Sequence, residues 1–83
     1  MTLSFAYEWV ESFEELDSAV RRRMLAKLKE LARADTWPHE ALKGRQFKGL
    51  YKLRAGDYRL IYRILPDETL DFLTLGHRSE VYH

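Results

Sequence analysis

Basic residues are concentrated in one segment of the chain, between residues 43 and 63. Seven lysines and arginines stand there against one acid, Asp57, although the whole chain has a net charge of only +1. The first twenty residues show the reverse, with five acids and no base. A local excess of cations favours a polyanion or an acidic protein as partner. The seven basic residues are Lys43, Arg45, Lys48, Lys52, Arg54, Arg59 and Arg63.

Cations of this kind could cleave a phosphodiester without a metal ion. Such a reaction needs an acceptor for the proton of the attacking hydroxyl, positive charge near the phosphate, and a donor for the leaving oxygen. In RNA the neighbouring 2′-hydroxyl is a built-in nucleophile, so the protein need not supply one. The residues that could share these tasks are Lys52, Arg54, Arg59, His77, Arg78 and Tyr82.

The residues alone leave a plainer interpretation open. Lys52 can be a solvated strand residue and Tyr82 a terminal aromatic packed on the edge of the sheet. The charged face would then only keep the domain in solution.

Other kinds of chemistry find no support in the sequence. The three histidines have no metal-ligand spacing and the chain has no cysteine, so we expect no metal site and no cofactor. No serine lies in a G-x-S-x-G turn, and no glycine-rich phosphate loop is present. The chain also lacks a signal peptide and any long apolar run, and we therefore expect a cytoplasmic protein.

Alternation of side chains predicts that the basic residues share one face of a sheet. The segments 50–54 and 58–65 are strand-like and are joined by a tight turn at Gly56. Because successive side chains of a strand point to opposite faces, Leu53 and Leu60 can pack inward while their neighbours point outward. The predicted outward face carries Lys52, Arg54, Arg59 and Arg63, beside Ile61.

Two helical patterns precede the basic segment. Within residues 8–16, three apolar side chains recur at helical spacing, close to Trp9. A longer helix is predicted from Asp17 or Ser18 to about residue 34, with an apolar stripe of period near four. These apolar residues are Val10, Phe13 and Leu16 in the first helix, and Val20, Met24, Leu28 and Leu31 in the second.

The order of elements predicts an α+β fold. A first strand at residues 2–6 precedes the helical hairpin, and a last strand at residues 69–75, ended by Gly76, follows the two basic strands. Residues 35–49 are predicted to form a loop. The expected architecture is one domain over residues 1–83, with an N-terminal strand, a helical hairpin and a three-stranded antiparallel meander in one mostly antiparallel sheet.

Two motifs resemble a known family. The segment 49–63, with Y-R-L-I-Y at residues 58–62, and G-H-R-S-E-V-Y at residues 76–82 resemble the RelE branch of the RelE/ParE toxin superfamily over nearly the whole chain. The resemblance implies a RelE-like fold and a toxin of a type II toxin–antitoxin pair that cleaves messenger RNA in the ribosomal A site. It implies metal-free attack by the 2′-hydroxyl, leaving a 2′,3′-cyclic phosphate. It also implies a cognate antitoxin, and contact with operator DNA only through the antitoxin complex.

The resemblance also implies roles for individual residues. Lys52 would act as base or charge stabiliser, Arg59 and Arg78 would stabilise the phosphate, and Tyr82 would orient or protonate a reacting group. Leu50 occupies the place where some relatives have a second lysine, so the residue that accepts the proton stays open. Further contacts to RNA are expected from Lys48, Arg54, Arg63 and His77.

Two other functions remain open on the sequence. ParE-like members of the superfamily share the fold but inhibit DNA gyrase by binding it, without nuclease chemistry. A non-catalytic RNA-binding module is the other alternative, with Tyr51 for stacking and Arg54 and Arg59 for phosphate contacts.

Overall fold

A five-stranded sheet forms the centre of the molecule. The computed structural model describes residues 1–80. Its strands are β1 (Leu3–Phe5), β2 (Glu40–Ala41), β3 (Tyr51–Ala55), β4 (Tyr58–Ile64) and β5 (Leu70–His77). They lie side by side in the order β1-β5-β4-β3-β2. The β1–β5 pairing is parallel and the other three pairings are antiparallel, which confirms the predicted α+β class and the antiparallel meander.

Two helices cover one face of this sheet. Helix α1 (Tyr7–Glu14) and helix α2 (Ser18–Arg33) form the predicted hairpin, and Arg21 Nη1 donates a hydrogen bond to the Glu14 carbonyl at the end of α1 (3.0 Å). The α2 stripe is confirmed, since Met24, Leu28 and Leu31 are all buried. None of the helices in residues 1–80 is long and apolar enough to cross a membrane.

The core lies between the helices and the sheet, and we call this face of the sheet the back. Aromatic and aliphatic side chains of β3, β4 and β5 fill it, and Trp9 of α1 stacks on Phe13 and lies edge-on to Phe72. Val10 was expected in this core and is exposed instead, because α1 turns Trp9 and Phe13 toward the sheet. The buried strand residues at the back are Leu53, Leu60, Tyr62, Leu70, Phe72 and Leu75.

The last strand differs from the prediction. It continues past Gly76 to His77, since Gly76 still pairs with Arg59 of β4. A β-bulge interrupts its register, with Ile61 opposite Thr74 but Tyr62 opposite Phe72, so that Leu73 is an extra residue. An extra residue reverses the alternation of faces beyond it.

The predicted loop at residues 35–49 contains two short elements. Strand β2 pairs with β3, and a 3₁₀ turn at Arg45–Phe47 follows it. The chain between β2 and β3 forms a closed loop, because the Leu42 backbone N–H donates a hydrogen bond to the Leu50 carbonyl (3.0 Å). This arrangement adds a fifth strand at the edge of the predicted sheet.

Candidate functional site

Cross-strand register brings the predicted basic residues together on the face opposite the helices, which we call the front. Arg54 of β3 lies directly opposite Arg59 of β4, and Gly76 of β5 is the next residue in that row. Lys52 lies two pairs further along, opposite Ile61, and so is on the same face. Directly opposed residues have Cβ atoms ~4.5–5.5 Å apart, so these cations share one small area. Gly76 adds no side chain to this row.

One carboxylate of the edge strand β2 contacts two of these cations. Glu40 lies opposite Lys52 in the sheet, and its Oε1 is 2.7 Å from Arg54 Nη2 and 3.5 Å from Lys52 Nζ. The side chain of Glu40 is 46% exposed, so a ligand can reach it. Glu40 was missed in the sequence, because its only signal was a single acid within a segment that looked like a loop.

Arg59 bends toward the turn between β3 and β4. Its Nη1 donates to the carbonyls of Gly56 (3.0 Å) and Tyr58 (3.1 Å). Gly56 makes this turn possible with a φ of 62°. Both partners are neutral carbonyls, so these contacts orient the guanidinium without cancelling its charge.

Arg78 reaches the same turn from the end of β5. Its backbone N–H donates to the Asp57 carbonyl (2.8 Å), and its Nε lies 4.0 Å from Asp57 Oδ1. The side chains of Arg78 and Asp57 are both mostly exposed, and such an ion pair is weak in water. We call Lys52, Arg54, Arg59 and Arg78 the cationic cluster.

Arg63 is on the front but at the other end of the sheet. Its Nε donates to Asp71 Oδ2 (2.9 Å), and Ser4 donates to the other oxygen of that carboxylate (2.8 Å). These hydrogen bonds, from Ser4 first and then from Arg63, hold the pKa of Asp71 below its ordinary value. The charge of Arg63 is thus matched by an acid on the neighbouring strand.

Two other predicted RNA contacts lie away from the cluster. His77 is on the back of the sheet, where its ring meets Tyr58 edge-on and its Nδ1 is 2.8 Å from Ser79 Oγ. Lys48 is exposed after the 3₁₀ turn, beside an open groove that Arg45 also lines. Tyr82, the fourth predicted catalytic residue, lies outside the described residues.

Behind Glu40, a buried tyrosine and a histidine fix the start of β2. Tyr62 is fully buried, and its hydroxyl lies 2.7 Å from Nδ1 of His39, the residue before Glu40. Burial, with smaller contributions from Tyr51 and Glu40, raises the pKa of Tyr62 to about 12. The phenol therefore keeps its proton and can donate it in this hydrogen bond to His39.

The chemistry open to this site follows from its charges. The cluster presents several guanidinium and ammonium donors that fit phosphate oxygens, and arginine binds phosphate with two parallel hydrogen bonds. Glu40 adds a carboxylate, which accepts hydrogen bonds and carries negative charge among the cations. The site can thus hold a phosphodiester and stabilise charge that develops on it.

Comparison with known proteins connects this chain to toxins. The family described as ParE toxin of type II toxin-antitoxin system, parDE, matches residues 4–82. The mRNA interferase toxin RelE of Escherichia coli (strain K12) is 30% identical over 83 residues, an alignment that covers 96% of this chain and 87% of that protein.

Solved structures agree in fold. The isolated E. coli RelE toxin superposes with a TM-score of 0.70 at 29% identity, covering 98% of this chain and 89% of that chain. The archaeal RelE–RelB complex of Pyrococcus horikoshii OT3 gives a TM-score of 0.72 at 26% identity, covering 96% of this chain and 97% of that chain.

Proposed function

We propose that this chain, which belongs to the ParE toxin family of type II toxin–antitoxin systems and to the RelE branch of the RelE/ParE superfamily, is an mRNA interferase. It cleaves messenger RNA in the ribosomal A site, in the cytoplasm. The reaction is attack of a ribose 2′-hydroxyl on the adjacent phosphate, with no metal ion, and it leaves a 2′,3′-cyclic phosphate and a 5′-hydroxyl.

The pairing of Arg54 with Arg59 across two strands is the observation that carries this proposal. Like charges directly opposite each other in a sheet are destabilising. Glu40 offsets the charge of Arg54, whereas Arg59 contacts neutral carbonyls that leave its charge in place. A bound phosphodiester is attracted to both guanidinium groups and offsets the repulsion between them. Lys52 of β3 and Arg78 beside the turn add two more cations near this pair.

The residues of the cationic cluster have different roles in the proposed reaction. Arg59 and Arg78 stabilise the charge that grows on the phosphate oxygens in the transition state. Lys52 and Arg54 hold the phosphodiester in place. Tyr82 orients or protonates a reacting group, and Lys48 contacts RNA outside the reacting phosphate. His77 and Arg63 were predicted to bind RNA, and we now propose only indirect effects for them, because one is on the back and the other faces Asp71.

A cognate antitoxin is the proposed protein partner. Several similar solved structures are RelB–RelE or RelE–RelB complexes, including that from Pyrococcus horikoshii OT3. An acidic antitoxin segment over the cationic cluster would compete with RNA, and it would be displaced by salt. Contact with operator DNA would then occur only through the toxin–antitoxin complex.

Inhibition of DNA gyrase is a second candidate, because the matching family is described by the name ParE. A gyrase inhibitor needs a binding surface but no nuclease chemistry. The two functions therefore differ in whether any phosphodiester bond is broken.

Both functions can be tested with the same protein preparation. The chain is induced in cells and new messenger 5′ ends are mapped, while the purified protein is added to a gyrase supercoiling assay. We expect new 5′ ends within translated codons and unchanged supercoiling. Loss of supercoiling without new 5′ ends would replace the proposed function with the gyrase alternative.

A further inference from the structure

An open groove lies where strand β2 and the 3₁₀ turn meet the start of β3. Its volume is about 540 Å³, which falls within the ~300–1,000 Å³ of most small-ligand pockets. Backbone hydrogen bonds shape the loop beside it. The Leu50 N–H donates to the Phe47 carbonyl, and the Leu50 carbonyl accepts from the Leu42 N–H (both 3.0 Å). The protein's own contacts therefore form this groove without a ligand.

The lining of the groove is mostly apolar and includes one aromatic ring. Its apolar side chains are those of Leu42, Leu50 and Tyr51. Gly49 also lines it, and a Cβ atom at that position would meet no atom within 4 Å, so the space there is open. The ring of Tyr51 is held by stacking on Tyr62, with 5.7 Å between centroids and 26° between planes. A fixed ring in an apolar groove suits a flat group such as a nucleobase.

The charge along this groove is positive. Arg45 and Lys48 line it, and residues 41–56 contain five bases and no acid. Glu40, the acid just before that segment, contacts Arg54 on the front. Two other cavities of the molecule each have two carboxylates in their lining. A ligand of the groove should therefore carry negative charge beside its flat apolar group, as a nucleotide does.

The groove and the cationic cluster are neighbours across the edge of the sheet. Tyr51, which lines the groove, directly precedes Lys52 in β3. Its partner Ala41 in β2 also lines the groove and directly follows Glu40. Because successive strand residues point to opposite faces, the groove begins on the back while the cluster is on the front. A single RNA strand that crosses the short edge strand β2 can reach both.

We propose that the groove binds one unpaired nucleotide of RNA, an inference that rests on the proposed function. The base packs on Tyr51 and Leu50, and the phosphate binds Arg45 and Lys48. No bond is broken there, so the groove positions the RNA and takes no part in the reaction. The nucleotide belongs either to the messenger beside the cleaved phosphate or to ribosomal RNA, and an experiment can separate these two sources.

A matched pair of substitutions isolates the ring of Tyr51. Tyr51→Phe and Tyr51→Leu both lose the hydroxyl, but only the second loses the aromatic ring. Stacking of a base on an aromatic ring strengthens RNA binding roughly tenfold. Affinity for ribosomes that hold an uncleavable 2′-deoxy messenger should fall by about that factor in Tyr51→Leu and stay near wild type in Tyr51→Phe. The cleavage rate at saturating toxin should be unchanged in both, because the groove does not touch the reacting atoms.

The free protein can be titrated with adenosine 5′-monophosphate while its amide chemical shifts are followed. We expect shifts at Gly49 and Leu50, and tighter binding than that of inorganic phosphate, the control for an anion without a base. Tyr51→Leu should remove this advantage over phosphate. Arg45→Ala should weaken the nucleotide's binding, and the control Lys29→Ala, exposed on α2, should not. Arg45 is exposed, so this variant tests the groove even if Tyr51→Leu does not fold.

Abasic messengers identify the source of the nucleotide. Each position next to the cleaved phosphate is replaced in turn by a ribose without a base. If the groove holds a messenger base, one of these changes lowers the affinity of wild type but has no further effect in Tyr51→Leu. If it holds a base of ribosomal RNA, Tyr51→Leu lowers affinity equally on every messenger and on ribosomes without one.

Three results would overturn the nucleotide groove. They are wild-type affinity in both Tyr51→Leu and Arg45→Ala, nucleotide binding no tighter than that of phosphate, or binding of an acidic peptide of alternating Leu and Glu in the groove where the nucleotide does not bind. A wild-type protein that produces no cyclic phosphate would instead refute the proposed function itself. The two failures are therefore distinguishable.

Discussion

The two faces of the sheet are made from alternate residues of the same strands, yet they are stabilised in opposite ways. On the back, Leu60 and Tyr62 are fully buried beneath the helices. On the front, Arg59 and Arg63 come from the same strand and are solvated or paired with polar groups. Burial of apolar surface gives most of the folding free energy, while exposed ion pairs give little. Changes on the back should therefore alter stability, and changes on the front should alter activity.

The front itself has two unlike ends. Asp71 neutralises Arg63, whereas the neutral carbonyls that orient Arg59 leave its charge available to a ligand. Counting basic residues in the sequence treats these two arginines as equal. Their neighbours decide which of them can bind a phosphate.

The largest effect on stability should come from Leu60→Ala. Truncation of a fully buried leucine costs ~2–5 kcal/mol, which is a large part of the stability of a domain of this size. Urea denaturation of the free protein measures this change in the free energy of unfolding. The control is Leu25→Ala on the exposed side of α2, where we expect a change within ~0.5 kcal/mol. Equal effects at the two positions would show that the back is not the core.

On the front, Arg59→Ala should have the largest effect on activity. Loss of a group that stabilises charge in the transition state costs ~10²–10³ in rate, so cleavage should fall by that factor with little change in stability. The matched variant Arg63→Ala, from the same strand and face, should change the cleavage rate less than about threefold, because Asp71 already satisfies that charge. Similar losses in both variants would contradict the distinction between the two ends.

A smaller effect on stability should follow from Tyr62→Phe. The hydrogen bond to His39 contributes about 1 kcal/mol, and its loss also leaves a partly buried ring nitrogen without that partner. Because folding raises the pKa of Tyr62 from 10.0 to about 12, its stabilising effect is present below pH 10 and decreases as the pH rises toward 12. The measurement is the free energy of unfolding against pH, with exposed Tyr7→Phe as control. If the free energy of unfolding fell equally between pH 10 and 12 in wild type and in Tyr62→Phe, the stabilising role of the Tyr62 hydroxyl would be refuted.

The smallest effect is expected for Asp71→Asn. This change weakens the contacts with Ser4 and Arg63, which we expect to cost less than about 1 kcal/mol. Folding lowers the pKa of Asp71 from 3.8, so its contribution is present above that pH and is lost as the pH falls through the lower folded-state value. In acid, the free energy of unfolding should change less with pH in Asp71→Asn than in the control Asp35→Asn. The same pH dependence in both variants would mean that ionised Asp71 does not stabilise the fold.

Much of the fold followed from periodicity in the sequence. The alternation in β3 and β4 correctly predicted that Lys52 and Arg59 face away from the core, and the spacing of Met24, Leu28 and Leu31 correctly predicted the buried side of α2. These patterns are long enough for one interpretation to be clearly favoured. The shorter pattern in α1 was partly wrong, since Val10 is exposed.

Two features of the site depend on interactions that no local pattern contains. The bulge at Leu73 reverses the alternation in β5, which places Leu75 and His77 on the back rather than the front. Strand β2 has two residues and exists only through its pairing with β3, so the contact of Glu40 with Lys52 was invisible in the sequence. The sequence could identify the cations but not their acidic neighbour.

The most direct test of the central claim is single-turnover cleavage of two ribosome-bound messengers that differ only in one atom. One has an ordinary ribose at the mapped cleavage position and the other has a 2′-deoxy ribose there. If the front of the sheet cleaves RNA by attack of the 2′-hydroxyl, the first messenger yields a 2′,3′-cyclic phosphate and the second is bound but not cut. Cleavage of the deoxy messenger, or a product with a 3′-hydroxyl end, would contradict the account.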